Sequence, residues 1–248
     1  MKNKIIPIAL ASTLLTGCNE AMVRQNTQAI LSDLERNINT FTAALDQQIK
    51  IAMSTNDRTL INQSANDLLN GRDDVKINGE NVSGSMRVTN TSVETRNMKI
   101  AKIKTVDAPN NLKVIGKPYE ITAASVNVRS GPSTSKPIIT NVKQSSTFEV
   151  VGSVENGTWY LISNNGTSFG YVFHTLMKEA DENTSTKNAI AGEQAIDLDS
   201  LFADQGIELD DVAAETECKE IESTLSGNGE TENSSFTACK GSDGVWEI

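Results

Sequence analysis

Residues 125–176 constrain the fold of this chain more than any other stretch. They read SVNVRSGPSTSKPIITNVKQSSTFEVVGSVENGTWYLISNNGTSFGYVFHTL, short apolar runs divided by turn residues at the spacing of a small antiparallel barrel. Val126 and Val128 alternate with Asn127 and Arg129, and Ser130-Gly131-Pro132-Ser133 breaks that first strand. Four more runs follow at 138–142, 148–151, 159–162 and 171–173, parted by polar or glycine-bearing turns at 143–146, 155–157 and 164–166. Strand alternation sets Trp159 and Leu161 on one face and Tyr160 and Ile162 on the other.

Three marks in this stretch, NVRSGPS at 127–133, Trp159-Tyr160 and Gly170-Tyr171-Val172, resemble the signature of a bacterial SH3 (SH3b) domain, here placed at residues 114–178. The resemblance implies a shallow groove between the loop after the first strand and the aromatic strands, recognising peptidoglycan stem peptides or cross-bridges. It nominates Asn127, Arg129, Trp159, Tyr160, Tyr171, Phe173 and His174 as ligand-binding residues. The rings offer flat apolar faces with polar edges. Asn127 and Arg129 can donate to peptide carbonyls and carboxylates. His174 occupies a position where the family more often has Asn or Ser. At least two of the aromatics must fill the barrel's own core, so three roles stay open: wall binding, docking of another envelope protein, and a purely structural module.

The first residues bear on compartment. Lys2 and Lys4 precede a short apolar run at 5–15, too short to span a bilayer as a helix, which reads as a cleaved leader over residues 1–17. Leu15-Thr16-Gly17-Cys18 is similar to the lipobox of bacterial lipoproteins, and that likeness implies a lipidated Cys18 as the first mature residue. Several acyl chains at about 0.8 kcal/mol per buried CH₂ make such an anchor effectively permanent. Asn19 in the following position favours the outer membrane, with the body in the periplasm.

Residues 18–72 read as a helical, membrane-proximal segment. Leu31, Leu34, Ile38, Phe41, Leu45 and Ala52 form a seam interrupted by Gln48, either a helical hairpin packed on itself or a stalk that oligomerises. A second helix is expected from Asp57, as N-cap, to Asn70, with Gly71 as the stop. Residues 73–113 turn extended: Val75-Lys76-Ile77 before Asn78-Gly79 signals a hairpin, and 86–89 and 98–106 offer further strands before a linker at 107–111. Residues 179–217 carry twelve carboxylates and one lysine, an expected mobile acidic tether with two possible short helices at 197–205 and 210–216. The acids there lack the order of an EF-hand loop, so a solvated spacer is favoured over a calcium site.

With Cys18 assigned to lipid, Cys218 and Cys239 remain, and in an exported chain they are expected to pair. Residues 218–248, with Thr237-Ala238-Cys239-Lys240 and Asp243-Gly244-Val245-Trp246-Glu247-Ile248, are similar to the C-terminal end of the 17 kDa surface-antigen lipoprotein family. If that likeness extends upstream, strands around 78–95 belong to the same unit and the barrel is inserted between its halves. The expected class is α+β: an N-terminal helix or helical hairpin, a small SH3-like β-barrel, and a disulfide-closed β-hairpin.

Chemistry is limited by what the chain lacks. Removal of Lys2 and Lys4 takes the net charge from −10 to −12, which argues against nucleic acid as a partner. A cell-wall peptidase needs a free thiolate beside a histidine, whereas the cysteines are assigned elsewhere and the single His174 lies inside the barrel motif. The clustered acids have no apolar pocket to set one pKa apart. The expectation is a lipid-anchored binding protein with no enzyme activity, cofactor or metal.

Overall fold

The computed structural model describes residues 51, 53–180, 201 and 205–248. Cys18, the leader and the seam residues Leu31, Leu34, Ile38, Phe41, Leu45 and Ala52 lie outside the described residues. So does most of the expected helix at 197–205.

Two very long strands organise everything else. β2 (Ser83–Ile103) and β10 (Ile207–Gly227) are each 21 residues and pair antiparallel along their whole length, with one register shift at Glu220/Ile221. At about 3.3 Å per residue this spine is roughly 70 Å long. Each spine strand divides its second edge between two neighbours. At one end β1 (Asp74–Asn78) pairs β2, and β11 (Glu230–Lys240) pairs β10 over Cys218 to Gly227. At the other end, β2 pairs in parallel with β8 (Thr167–Phe173) at Ala101 and Lys102, and β10 with β3 (Leu112–Ile121) at Ala214 and Glu215.

The barrel is closed by that spine. β3 pairs β6 (Thr147–Val154), β6 pairs β7 (Trp159–Asn164), and β7 pairs β8, so that β2 and β10 complete a ring running from β8 back to β3. β4 (Ser125–Arg129) and β5 (Ile138–Lys143) extend from β8, and β9 (Met177–Glu179) from β3. The core follows the same logic: Ile100 and Ile103 of β2 and Val212 and Ala214 of β10 pack with Val128, Val150, Leu161, Phe169 and Tyr171. The expected α+β arrangement, a helical base followed by a self-contained small barrel, is therefore wrong. The protein is mostly β, in one large mixed sheet with a short helix laid on it.

That helix, α1 (Thr55–Leu69), begins earlier than expected because Ser54, and not Asp57, is its N-cap. Asp57 sits three residues in and completes a capping box: its N–H donates to Ser54 Oγ at 3.1 Å, and its carboxylate accepts from the Ser54 N–H at 3.0 Å. Gly71, with φ of 116°, ends the helix as expected. Ile61, Ala65, Leu68 and Leu69 form its apolar face and pack on Ile77, Met86, Ile221, Leu225 and Phe236, a second core at the far end of the spine. Buried Lys219 latches the helix end, its Nζ donating to the Leu68 and Leu69 carbonyls at 3.1 and 3.0 Å with the Trp246 ring 5.4 Å away.

The acidic stretch is corrected as well. Residues 207–217, expected to be tether, are the first half of β10, and 210–216 is strand where a short helix was expected. Of the expected extended segment, the run at 86–89 and the run at 98–106 as far as Ile103 are merged into β2. The expected insertion is present too: Ile77 and Met86 share a core with Phe236 and Ala238, and in sequence residues 104–206 separate the two spine strands. Cys218 and Cys239 face each other across β10 and β11 and are disulfide-bonded. β12 (Trp246–Glu247) pairs back on β11. The turn before it lies against the barrel so closely that a Cβ on Gly244 would stand 2.1 Å from the Gly116 carbonyl oxygen. Barrel and spine are thereby one body. No helix among the described residues is long and apolar enough to cross a membrane.

Candidate ligand-binding face

Pairing of β7 with β8 sets Trp159 opposite Phe173 and Tyr160 opposite Val172, and a 3-10 turn (His174–Leu176) carries the chain on to β9. β9 pairs with β3 so that Tyr119 faces Glu179. These local choices line up five rings. Trp159 meets Phe173 at 5.5 Å between centroids, Phe173 meets His174 at 5.0 Å, His174 meets Tyr160 at 6.2 Å, and Tyr160 meets Tyr119 at 5.2 Å. All four contacts are edge-to-face, the arrangement that ring quadrupoles favour. Exposure varies along the run: Trp159 is 8% exposed and Phe173 beside it 36%, with Tyr119, Tyr160 and His174 half-buried between these limits.

The charges beside this face are already matched. Lys117 pairs with Glu179 at 2.6 Å, and Lys178 with Glu120 at 3.4 Å. Burial, reinforced by neighbouring Tyr160 and Glu179, pushes the Tyr119 phenol up to about 12. It therefore stays protonated throughout the neutral range, its hydroxyl hydrogen-bonded to Tyr160. In physical terms the face is a strip of aromatic edges with phenol and imidazole groups along it, suited to stacking and hydrogen bonding.

The seven nominated residues separate into two groups. Trp159, Tyr160, Phe173 and His174 come together. Tyr171 does not join them: it is fully buried, and its hydroxyl donates to the Asp107 carbonyl at 2.9 Å. Burial, then the charges of Asp107 and Asp210, raise its pKa and keep it a neutral core group. Arg129 is half-buried and donates to the Lys136 carbonyl at 2.8 Å, while Lys136 pairs with Asp107 at 2.6 Å. These bonds fasten the loop after β4 to the linker after β2. Asn127 is exposed, opposite Asn141 in the β4–β5 pair.

Tyr119 is the member that sequence reasoning missed. It lies before the motif, six residues ahead of Ser125, on strand β3, and reaches the other rings through the pairing of β3 with β6 and β9. The one signal that marks it is scarcity, since the chain has three tyrosines. Elsewhere, a carboxylate oxygen of Glu94 and the sulfurs of Cys218 and Cys239 lie within 4.8 Å of one another, but the two sulfurs are bonded together. No curated protein and no solved structure matches this chain. Residues 124–178, which carry β4 to β8 and every ring of the aromatic run except Tyr119, match the family described as the bacterial SH3 domain.

Proposed function

We propose that the chain is a non-catalytic envelope lipoprotein, anchored through Cys18 in the outer membrane, whose bacterial SH3 segment binds peptidoglycan and so tethers membrane to wall. The observation that carries this reading is the aromatic run from Trp159 to Tyr119, with Phe173 its most exposed ring. Such a strip gives a peptide stem apolar faces and polar edges without demanding a deep pocket. The Cys218–Cys239 disulfide supports an oxidising compartment outside the cytoplasm. The C-terminal likeness to the 17 kDa surface antigens favours the same compartment.

Phe173→Ala removes the most exposed ring of the run and leaves the barrel core in place. Truncating an aromatic anchor at a binding centre costs about 1–2 kcal/mol, so retention on purified sacculi should fall roughly tenfold against wild type. Wild-type protein that is not retained, or a variant retained equally, would reject the proposal. Retention lost together with capture of one stoichiometric envelope protein would instead favour the adaptor reading, in which the same face docks a protein of a secretion or assembly complex. For the anchor, Cys18→Ser should move the protein from the membrane fraction to the soluble one. An unchanged distribution would remove the lipid from the proposal.

A further inference from the structure

We infer that His174 gives the aromatic face its ligand class: a segment bearing a carboxylate, held by the imidazole in its charged form. The inference rests on the reading of this face as the ligand-binding site. The ring stands 5.0 Å from Phe173 and 6.2 Å from Tyr160. The His174 backbone N–H is fixed on the Thr158 carbonyl at 3.1 Å, whereas neither ring nitrogen has a hydrogen-bond partner among the described residues. An imidazolium placed there is favoured by the π systems beside it. It has no matched counter-ion among the described residues.

Each element packed around the ring supports that statement. β7 and β8 present Tyr160 and Phe173, both uncharged. On β3 and β9, Glu120 is paired with Lys178 and Glu179 with Lys117. The turn between β6 and β7 carries exposed Glu155, whose carboxylate has no partner among the described residues. The motif's own cation, Arg129, is engaged with the Lys136 carbonyl. His174 is therefore a polar group of the run whose ring nitrogens have no partner among the described residues, and a ligand can supply the anion that meets it. Imidazole charge varies between about pH 5 and 8, while peptide carboxylates remain ionised over that range. Affinity should rise as pH falls.

The test uses the full chain in mild detergent and soluble wall fragments released from sacculi by a muramidase, with their carboxylates either free or converted to carboxamides. Free-carboxylate fragments should bind about three- to tenfold tighter near pH 5.5 than near pH 7.5. That difference should vanish in His174→Gln and with amidated fragments, and persist in Glu155→Gln. Because the chain has one histidine, its imidazole gives a single NMR signal, which should shift on addition of the free-carboxylate fragment. Fragments that bind equally at both pH values, equally after amidation, or without moving that signal overturn the role of His174 and leave the site standing. Absence of binding under every condition overturns both.

Discussion

Lys102→Met is expected to lower the stability of the protein by about 3 kcal/mol, at the low end of the range for breaking one partner of a buried ion pair. Lys102 is 3% exposed, and its ammonium bonds to the Glu208 carboxylate, to Asp210 at 3.2 Å and to the Val106 carbonyl at 2.7 Å. Methionine keeps the buried stem but leaves two carboxylates and a carbonyl facing each other. Glu208 and Asp210 are partly exposed, which lets water recover some of the loss. Burial alone would lower the Lys102 pKa; the hydrogen bonds it donates to Glu208 and Asp210 outweigh that and raise the value. A lysine raised in the folded state contributes stability that is complete below its unfolded value of 10.5 and is lost only as pH climbs through the higher folded value. The tie is thus intact at every neutral pH. Urea unfolding followed by the fluorescence of Trp159 and Trp246 checks the effect, and a loss under about 1 kcal/mol would show that the tie is dispensable.

The same tie explains why the spine was illegible in the sequence. Twelve carboxylates between 179 and 217 look self-repelling when their neighbours in sequence are the only ones considered. In the fold their partners come from distant strands: Lys99 meets Asp211 at 2.9 Å, Lys113 meets Glu215 at 3.4 Å, and Lys240 meets Glu217 at 3.2 Å. The strand signal was nevertheless present, because Val212, Ala214, Thr216 and Cys218 alternate with outward groups. Composition drowned that alternation. The barrel motif was legible for the opposite reason, since its turns and runs are local and fix one another's register. What stayed hidden there was closure, because parallel pairing with β2 and β10 joins residues far apart in the chain.

The candidate face divides along the same line. Trp159, Tyr160, Phe173 and His174 sit on or just after one hairpin, so a local motif suffices to gather them. Tyr119 arrives from a non-local pairing and was missed. Tyr171 was nominated because the motif names it, although it is paired with core residue Leu161 across β7 and β8 and faces inward with it. Arg129 is similar: a cation beside a loop suggests a ligand, and here it binds the loop itself.

At the far end of the spine, Asp57→Ala should cost about 3 kcal/mol, combining the lost carboxylate half of the capping box with two loop N–H groups left unpartnered. The Asp57 carboxylate accepts from the Ser54 N–H at 3.0 Å, the Ser54 hydroxyl at 2.9 Å, the Glu80 N–H at 2.7 Å and the Asn81 N–H at 3.3 Å. Gly79 permits this approach, since a Cβ there would stand 2.1 Å from Asp57 Oδ1. Burial by itself would raise the Asp57 pKa, yet these donors favour the anion more strongly and hold it at about 2 against an ordinary 3.8. The folded value lies below the unfolded one, so the stabilisation is present above about pH 3.8 and disappears as pH falls toward about 2. That charge-linked share is at most about 2 kcal/mol, because the loop at 79–81 borders solvent. Unfolding of wild type and Asp57→Ala should therefore converge as the medium is acidified from pH 5 to about pH 2. A gap that stays constant over that range would show that the carboxylate's charge contributes nothing. Because α1 and the barrel belong to separate cores, retention on sacculi at neutral pH should be unchanged in this variant. Loss of retention would mean that the two ends of the spine are coupled, and that the helix supports the ligand face through β2 and β10.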